Sequence, residues 1–295
     1  MHTAITFIEK LPSTKITVRG KEYPVNIDGD GELLALSIGI GSHMQMTLSK
    51  EIKKLMTIYS TDLYWINSKS LEQENISNLT MTDLVEDIIS VLKQLNLKNC
   101  LLIGFSCYGI LALEVAKRMS AELKGVVLVS TPPAWNDKVI SYVQSYFEMH
   151  ASPERKLNDI KRKEHFSKIR KPNESIVSVN AYEADAARYW KDFTIERAFL
   201  DLLWHGINAD DLIMNHFFSI ILPHHKLEIE IDRISIPVVL FAGQMDFDSV
   251  PLSLWQKFPK PNHFTVIDCG ETGHWPNLEN PNLFDTEFRK WVQKI

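Results

Sequence analysis

Cysteine is scarce in this 295-residue chain. Cys100, Cys107 and Cys269 are odd in number and widely spaced. They make neither a disulfide framework nor a zinc-ligand cluster, so a reducing, cytoplasmic setting is expected and no metal is implied. Long apolar runs are missing too. No stretch approaches the ~18 residues needed to cross a bilayer, and no membrane partner is expected. The opening MHTAITFIEKLPST has neither the basic start nor the apolar middle of a secretory leader. Charge of one sign is also lacking. The net charge is −5, with 32 Lys and Arg against 37 Asp and Glu. A mildly acidic chain without an extended basic cluster is a poor match for nucleic acid, whose phosphates supply much of that affinity. There is no fixed-period repeat and no low-complexity tract. Neither a dinucleotide glycine fingerprint nor a Walker sequence occurs, so no organic cofactor is implied.

What is present is an ordinary globular composition, 45% apolar and 23% charged, in a chain long enough for a large core. KITVRGKEYPVNI reads as a hairpin turning at Arg19-Gly20-Lys21. LLALSIGI (33–40) has the continuous apolar character of a strand buried on both faces, CLLIG (100–104) and GVVLVS (125–130) read as further buried strands, and IPVVLFAG (236–243) and HFTVIDCG (263–270) read as the last two strands. TIYSTDLYWI (57–66) reads as a further strand, after a helix near 47–56. Residues 79–97 carry apolar side chains at three- and four-residue spacing, which predicts a helix capped by Thr82. Residues 110–119 and the closing LFDTEFRKWVQKI predict two more. Strand and helix in alternation signal an α/β fold, a mostly parallel central sheet with helices on both faces. The alternation stops over about 134–232, which holds no convincing strand and many aromatic and charged residues. The expected organisation is a core of 1–133 and 233–295 with a helical cap insertion at 134–232. Within the cap, Lys161-Arg162-Lys163 reads as a solvated face. Its aromatic residues read mostly as core that docks the cap, with a few lining an apolar pocket.

Leu101-Leu102-Ile103-Gly104-Phe105-Ser106-Cys107-Tyr108-Gly109 joins a buried strand to an amphipathic helix. A strained strand-to-helix turn that presents a nucleophile needs a small residue two positions before it, and Gly104 supplies one for Ser106. Cys107 is the other nucleophilic side chain, with bulky Phe105 in that position. The helix N-terminus makes the Cys107 amide a natural oxyanion donor. The pattern G-x-S-x-G is not kept: Tyr108 stands where glycine is expected, and Gly109 follows one residue late. A serine needs a base, and His274 follows the last strand, at the edge where catalytic groups gather in such sheets. The base needs an orienting acid. Asp246 and Asp248 both follow the preceding strand, Asp246 being the first choice. Ser37-Ile38-Gly39-Ile40-Gly41-Ser42 lies after an earlier strand, and its glycines allow the Ile40 amide to approach a substrate.

Together GFSCYG, SIGIGS, GQMDFDSVP and GHWPNLENP resemble the α/β-hydrolase superfamily over nearly the whole length. The resemblance implies an α/β-hydrolase fold, with Ser106, Asp246 and His274 as a triad and Ile40 and Cys107 as the oxyanion hole. YEADAARYWKD (182–192) and LLWHGI (202–207) are similar to the cap of proline-iminopeptidase-like hydrolases. There a cap carboxylate holds the substrate ammonium; here Trp204-His205-Gly206 has His205 in place of a glutamate. Tyr108, Tyr182, Trp190, Trp204 and His205 are the expected substrate-binding residues. The expected activity is cleavage of a small or medium ester or amide with an apolar part. An iminopeptidase-like aminopeptidase and a non-catalytic ligand-binding protein of the same fold are the alternatives. The expected partner is a small-molecule substrate, and no oligomeric state follows from the sequence.

Overall fold

A computed structural model describes residues 11–63, 73–170, 178–205, 207, 209 and 211–295. Residues 1–10, residues 64–66 of the expected 57–66 strand, and Gly206 lie outside the described residues. The first two strands, β1 (Ser13–Val18) and β2 (Lys21–Asp28), form an antiparallel hairpin. Arg19 and Gly20 at its turn have φ of 49° and 75°, the paired left-handed geometry that suits a two-residue hairpin. β1 buries alternate residues, as an edge strand does. Then come β3 (Leu33–Ile38), β4 (Met56–Ser60), β5 (Cys100–Phe105), β6 (Leu123–Val129), β7 (Val238–Ala242) and β8 (Phe264–Asp268). Every residue of β5 and β7 is buried, matching their unbroken apolar sequences. The eight strands form one sheet in the order β1-β2-β4-β3-β5-β6-β7-β8, antiparallel at β1, β2 and β4 and parallel beyond.

Register brings four loops to one edge. Ile38 pairs with Gly104, Gly104 with Leu128, Leu128 with Leu240, and Leu240 with Val266. The segments that leave β3, β5, β7 and β8 therefore start side by side. Helices cover both faces. Gly104 of β5 abuts Gly109 of the helix Tyr108–Met119. Gly125 of β6, in register with Leu101, faces Trp291 of the helix Pro281–Val292 on the other side. The helix Met81–Gln94 starts at Thr80, not Thr82. Thr80 and Asp83 bond each other's main-chain amides in a capping box. Thr82 has Val85 three residues on, which cannot reciprocate.

Between β6 and β7 the described residues hold helices and no strand: Asp137–His150, Pro153–Ile169, Val179–Ala184, Ala186–Tyr189, Arg197–Leu203 and Asp211–His216, then a π-helical turn Phe217–Ile221, a short turn Leu222–His224 and a 3-10 turn Ile231–Arg233. Arg155, 2% exposed, organises this layer. It donates to the carbonyls of Ala187, Trp190 and Lys191, each at 2.7 Å, and its guanidinium lies over the rings of Phe193 and Phe247. The reading of Lys161-Arg162-Lys163 as a solvated face is corrected in part. Lys161 is exposed, but Arg162 reaches inward to the carbonyls of Glu183, Phe193 and Ile195. A guanidinium offers several donors in a fixed fork, so it satisfies loop carbonyls that have no strand partner. Arg155→Met keeps the bulk and strands three buried acceptors. It should destabilise the protein by ~2–5 kcal/mol, seen as a lower thermal midpoint, with Arg155→Lys falling between because an ammonium cannot span the three carbonyls.

Candidate active site

Ser106 follows β5 with φ of 53°, a left-handed conformation that costs a non-glycine residue ~1–3 kcal/mol. The turn closes because two glycines meet. A Cβ at Gly104 would lie 2.4 Å from the Gly109 Cα, and one at Gly109 would lie 2.1 Å from the Thr131 Oγ1. The close approach thus falls on Gly109, which explains why glycine comes one residue late. Tyr108, freed from that contact, packs elsewhere. Its ring stacks on Phe217 at 5.1 Å and its hydroxyl meets the Met214 sulfur at 3.4 Å. It also presses on Gly39, where a Cβ would come within 2.7 Å of the Tyr108 Cγ. Gly39 has φ of 108° as well, so its lack of a side chain serves both the turn and the tyrosine. The Cys107 side chain is buried, and that burial pushes its thiol well above the usual range, so it is a protonated packing group rather than a thiolate.

His274 and Asp246 lie 2% and 1% exposed, with Nδ1 to Oδ2 at 2.9 Å. An ionised carboxylate only accepts, so Nδ1 carries the proton and Nε2 is left as the basic nitrogen. Asp246 Oδ1 accepts from the amides of Asp248 (3.1 Å) and Ser249 (3.0 Å). The Ser249 hydroxyl stands 2.9 Å from Asp246 Oδ2, 2.9 Å from the Ser130 carbonyl and 3.4 Å from His274 Nδ1. Burial is the largest influence on His274 and favours its neutral ring. The Asp246 carboxylate, through charge and hydrogen bond, with the charges of Asp248 and Glu279, outweighs it, and the net shift is upward.

The cap holds these loops by main-chain bonds. The Tyr189 carbonyl accepts from the His274 amide at 2.6 Å, and the Arg188 carbonyl from the Phe247 amide at 3.0 Å. Glu279 Oε2 accepts from Gly273 and Lys191 amides at 2.9 and 3.1 Å, while burial pushes its carboxyl up to about 7. Between cap and core lies a chamber of about 250 Å³. Ser106, His274, Asp248, Ile40 and Cys107 line it, with aromatic walls from both layers. A larger groove of about 660 Å³, lined by Ile76, Leu212, His216 and Ile220, lies away from these groups.

Of the expected substrate-binding residues, Tyr108 and Tyr182 line the chamber and three do not. Trp190 is fully buried, stacked on Trp275 at 5.9 Å. Trp204 sits behind Tyr182, its ring 3.9 Å away, edge-on to His43. His205 is exposed on the turn after the helix Arg197–Leu203, its amide bonded to the Leu202 carbonyl. The large apolar surface of each tryptophan is better used in the core than at a small cavity. Trp135, Tyr189, Met214 and Phe218 were not assigned as site residues, yet they line the chamber. Their one sequence signal, aromatic density in the cap, does not separate wall from core. His43 was missed as well: it is fully buried, and burial pushes its ring down to about 3, so it is a neutral packing group just after the Gly39–Ile40 turn.

No family model matches the chain. It is 25% identical over 280 residues to the AB hydrolase superfamily protein YclE of Bacillus subtilis (strain 168), covering 93% of this chain and 96% of that protein. Among solved structures it resembles a proline iminopeptidase of Mycobacterium smegmatis, with a TM-score of 0.69 at 16% identity over 96% of this chain and 98% of that one. It also resembles a thermophilic esterase of Thermogutta terrifontis, with a TM-score of 0.64 at 18% identity over 96% and 98%. The class these likenesses and the sheet define is the α/β hydrolases. The chain has that fold and is a hydrolase resembling members of that superfamily, and its insertion between β6 and β7 is helical among the described residues.

The contact between Gly39 and Tyr108 makes a direct test of the oxyanion-side loop. Gly39→Ala meets both a left-handed torsion and a ring, and should cost ~2–4 kcal/mol of stability. Tyr108→Ala removes the ring but keeps its Cβ, 2.9 Å from the added one, and leaves the torsion, so Gly39→Ala should cost less, but not nothing, in the Tyr108→Ala background than in wild type when both are followed by denaturant titration.

Proposed function

We propose that the protein is a serine hydrolase that cleaves a small ester or amide through an acyl-enzyme. The observation that carries this reading is the shared chamber. A serine held in a strained turn at a helix N-terminus lines the same small cavity as a buried histidine whose Nδ1 meets a carboxylate at 2.9 Å. In this reading His274 Nε2 takes the Ser106 proton as Oγ attacks the acyl carbon. The amides of Cys107 and Ile40 receive the oxyanion, and His274 then protonates the leaving group. Water attacks the acyl-enzyme by the same route and frees Ser106. Asp246 is assigned as the orienting acid because its carboxylate meets His274, whereas no such bond reaches Asp248 among the described residues. The small chamber favours a short acyl or leaving group. Esterase and peptidase chemistry both occur among proteins of similar fold. The iminopeptidase alternative asks for a cap carboxylate facing the chamber. Glu183 pairs with Arg197, Asp185 with Lys163 and Asp201 with Arg197, and Asp192 caps Thr194. None of these lines the chamber.

A fluorophosphonate probe should label wild-type protein and fail on Ser106→Ala, which should lower kcat for a short aryl ester by ~10⁴-fold or more. Asp246→Asn should cost ~10³–10⁴-fold by disfavouring the required tautomer. A folded Ser106→Ala protein that keeps near-normal turnover removes the assignment. A larger loss from Asp248→Asn than from Asp246→Asn would exchange the roles of the two acids.

The pH dependence carries a sign. The base must be neutral, and its folded pKa is raised, so kcat/KM should climb along an acid limb centred above the unperturbed histidine value of about 6.5. A limb centred well below that value, with chemistry limiting, would contradict a His274 held up by Asp246.

A further inference from the structure

Asp248 lies two residues from Asp246 on the same loop, yet the surroundings of the two carboxylates differ. Asp246 is filled by four donors. Asp248 lines the chamber beside Ser106 and His274, and among the described residues neither an ion pair nor a hydrogen-bond donor reaches its carboxylate. Arg188, the arginine whose charge reaches Asp248, is already used: it pairs with Asp159 at 3.3 Å and lies over the Phe147 ring at 4.2 Å. A carboxylate in an apolar cavity is costly unless something of opposite charge meets it there.

The walls around Asp248 suit such a charge. Trp135, Tyr182, Tyr189 and Phe218 line the same cavity, with Tyr182 and Tyr189 stacked at 4.9 Å. Aromatic faces attract compact, weakly hydrated cations, ammonium groups above all. The rings and the carboxylate are close in the electrostatic sense too. After burial, the Asp248 charge is the next influence holding the phenols of Tyr182 and Tyr189 above their usual range. Burial pushes Asp248 itself up to about 6; His274 and Arg188 oppose that shift, and Asp246 and Asp185 add to it. It is therefore mostly ionised at neutral pH, and its charge at the chamber wall disfavours an anionic group beside it.

We propose that Asp248 is a specificity-determining residue. It makes the chamber a cation-accepting site, so that the preferred substrates are small esters bearing a compact ammonium group rather than neutral esters of the same shape. The proposal rests on the serine-hydrolase reading above and moves recognition of the ammonium from the cap to the loop after β7.

Pairs of esters that differ only by replacing carbon with nitrogen test it. On the acyl side, 4-nitrophenyl trimethylglycinate is compared with 4-nitrophenyl 3,3-dimethylbutanoate. On the leaving side, acetylcholine is compared with 3,3-dimethylbutyl acetate. Each kcat/KM is divided by the alkaline hydrolysis rate of the same ester. The cationic member of at least one pair should be favoured by about tenfold or more. Asp248→Asn should bring that ratio to near unity, and Asp248→Glu should keep most of it. Tetramethylammonium binding to Ser106→Ala protein, followed by calorimetry, supplies a readout without turnover. Its Kd should rise about tenfold when Asp248→Asn is added. No preference in either pair, or a preference that survives Asp248→Asn, overturns the proposal. The wild-type ratios and the Ser106→Ala titration decide this even if Asp248→Asn does not fold. If no ester of either charge is cleaved and the fluorophosphonate does not label Ser106, while tetramethylammonium binds in an Asp248-dependent way, the hydrolase reading fails and the cation site stands.

Discussion

The site depends on a few main-chain hydrogen bonds between layers. The segment Arg188–Lys191 of the cap lies against the loops after β7 and β8. It takes the Phe247 and His274 amides on successive carbonyls, and Glu279 joins Lys191 to Gly273 from below. A Cβ at Gly273 would come within 2.1 Å of the Tyr189 carbonyl, so the two backbones pass at close range. Side chains can hop between rotamers, but a backbone amide bonded across a layer fixes the path of its loop. His274 and Asp246 are therefore oriented by the cap as well as by the sheet. Arg155 stands one step further out, holding the carbonyls of Ala187, Trp190 and Lys191 and so keeping the segment in shape. In this arrangement the cap is more than a cover. Loosening it would disturb the acid and histidine loops before it changed the volume of the chamber.

Strain on the core side balances this. Ser106, Ser130 and Val250 all have positive φ, and the β-branched Val250 is the least comfortable of them. All three lie at the edge where β5, β6 and β7 end. Such conformations persist only where the surroundings over-determine them. At Ser106 the contact of Gly104 with Gly109 does so. At Val250 the bonds of the Ser249 amide and hydroxyl to Asp246 and Ser130 fix the preceding residue, and Pro251 starts a helix with its own φ already set.

Much of this was legible in the sequence because it rests on short-range rules. Apolar runs marked β3 and β5 to β8, and the hairpin turn announced itself through Arg19-Gly20-Lys21. The mostly parallel sheet and the shared edge followed from the alternation of strand and helix. Long-range complementarity was not legible. Tyr108 looked like an intrusion into the nucleophile turn, because nothing near it in sequence shows that Gly39 offers the space. Thr82 reads as the cap because Asp83 and Glu86 follow it, whereas the cap is decided by which threonine has an acid three residues on. Trp190, Trp204 and His205 were placed at the pocket by proximity in sequence to a resemblance. Which face of a short cap helix meets the cavity depends on packing against His43 and Trp275, residues far away in the chain.

The loop Asp246-Phe247-Asp248 shows how two like residues can be given unlike work. A one-residue spacer turns alternate side chains to different surroundings, and Phe247 between them is buried against Phe147. Asp246 therefore points into a closed set of donors: two amides, a hydroxyl and an imidazole. Asp248 is left at the cavity wall, its negative charge supported by little besides distance to His274 and Arg188. In the proposed mechanism the satisfied carboxylate orients the base through every proton transfer because its own hydrogen bonds need not change. In the proposed specificity the unsatisfied one gains by changing partner, which is the property that recognition of an incoming charge requires.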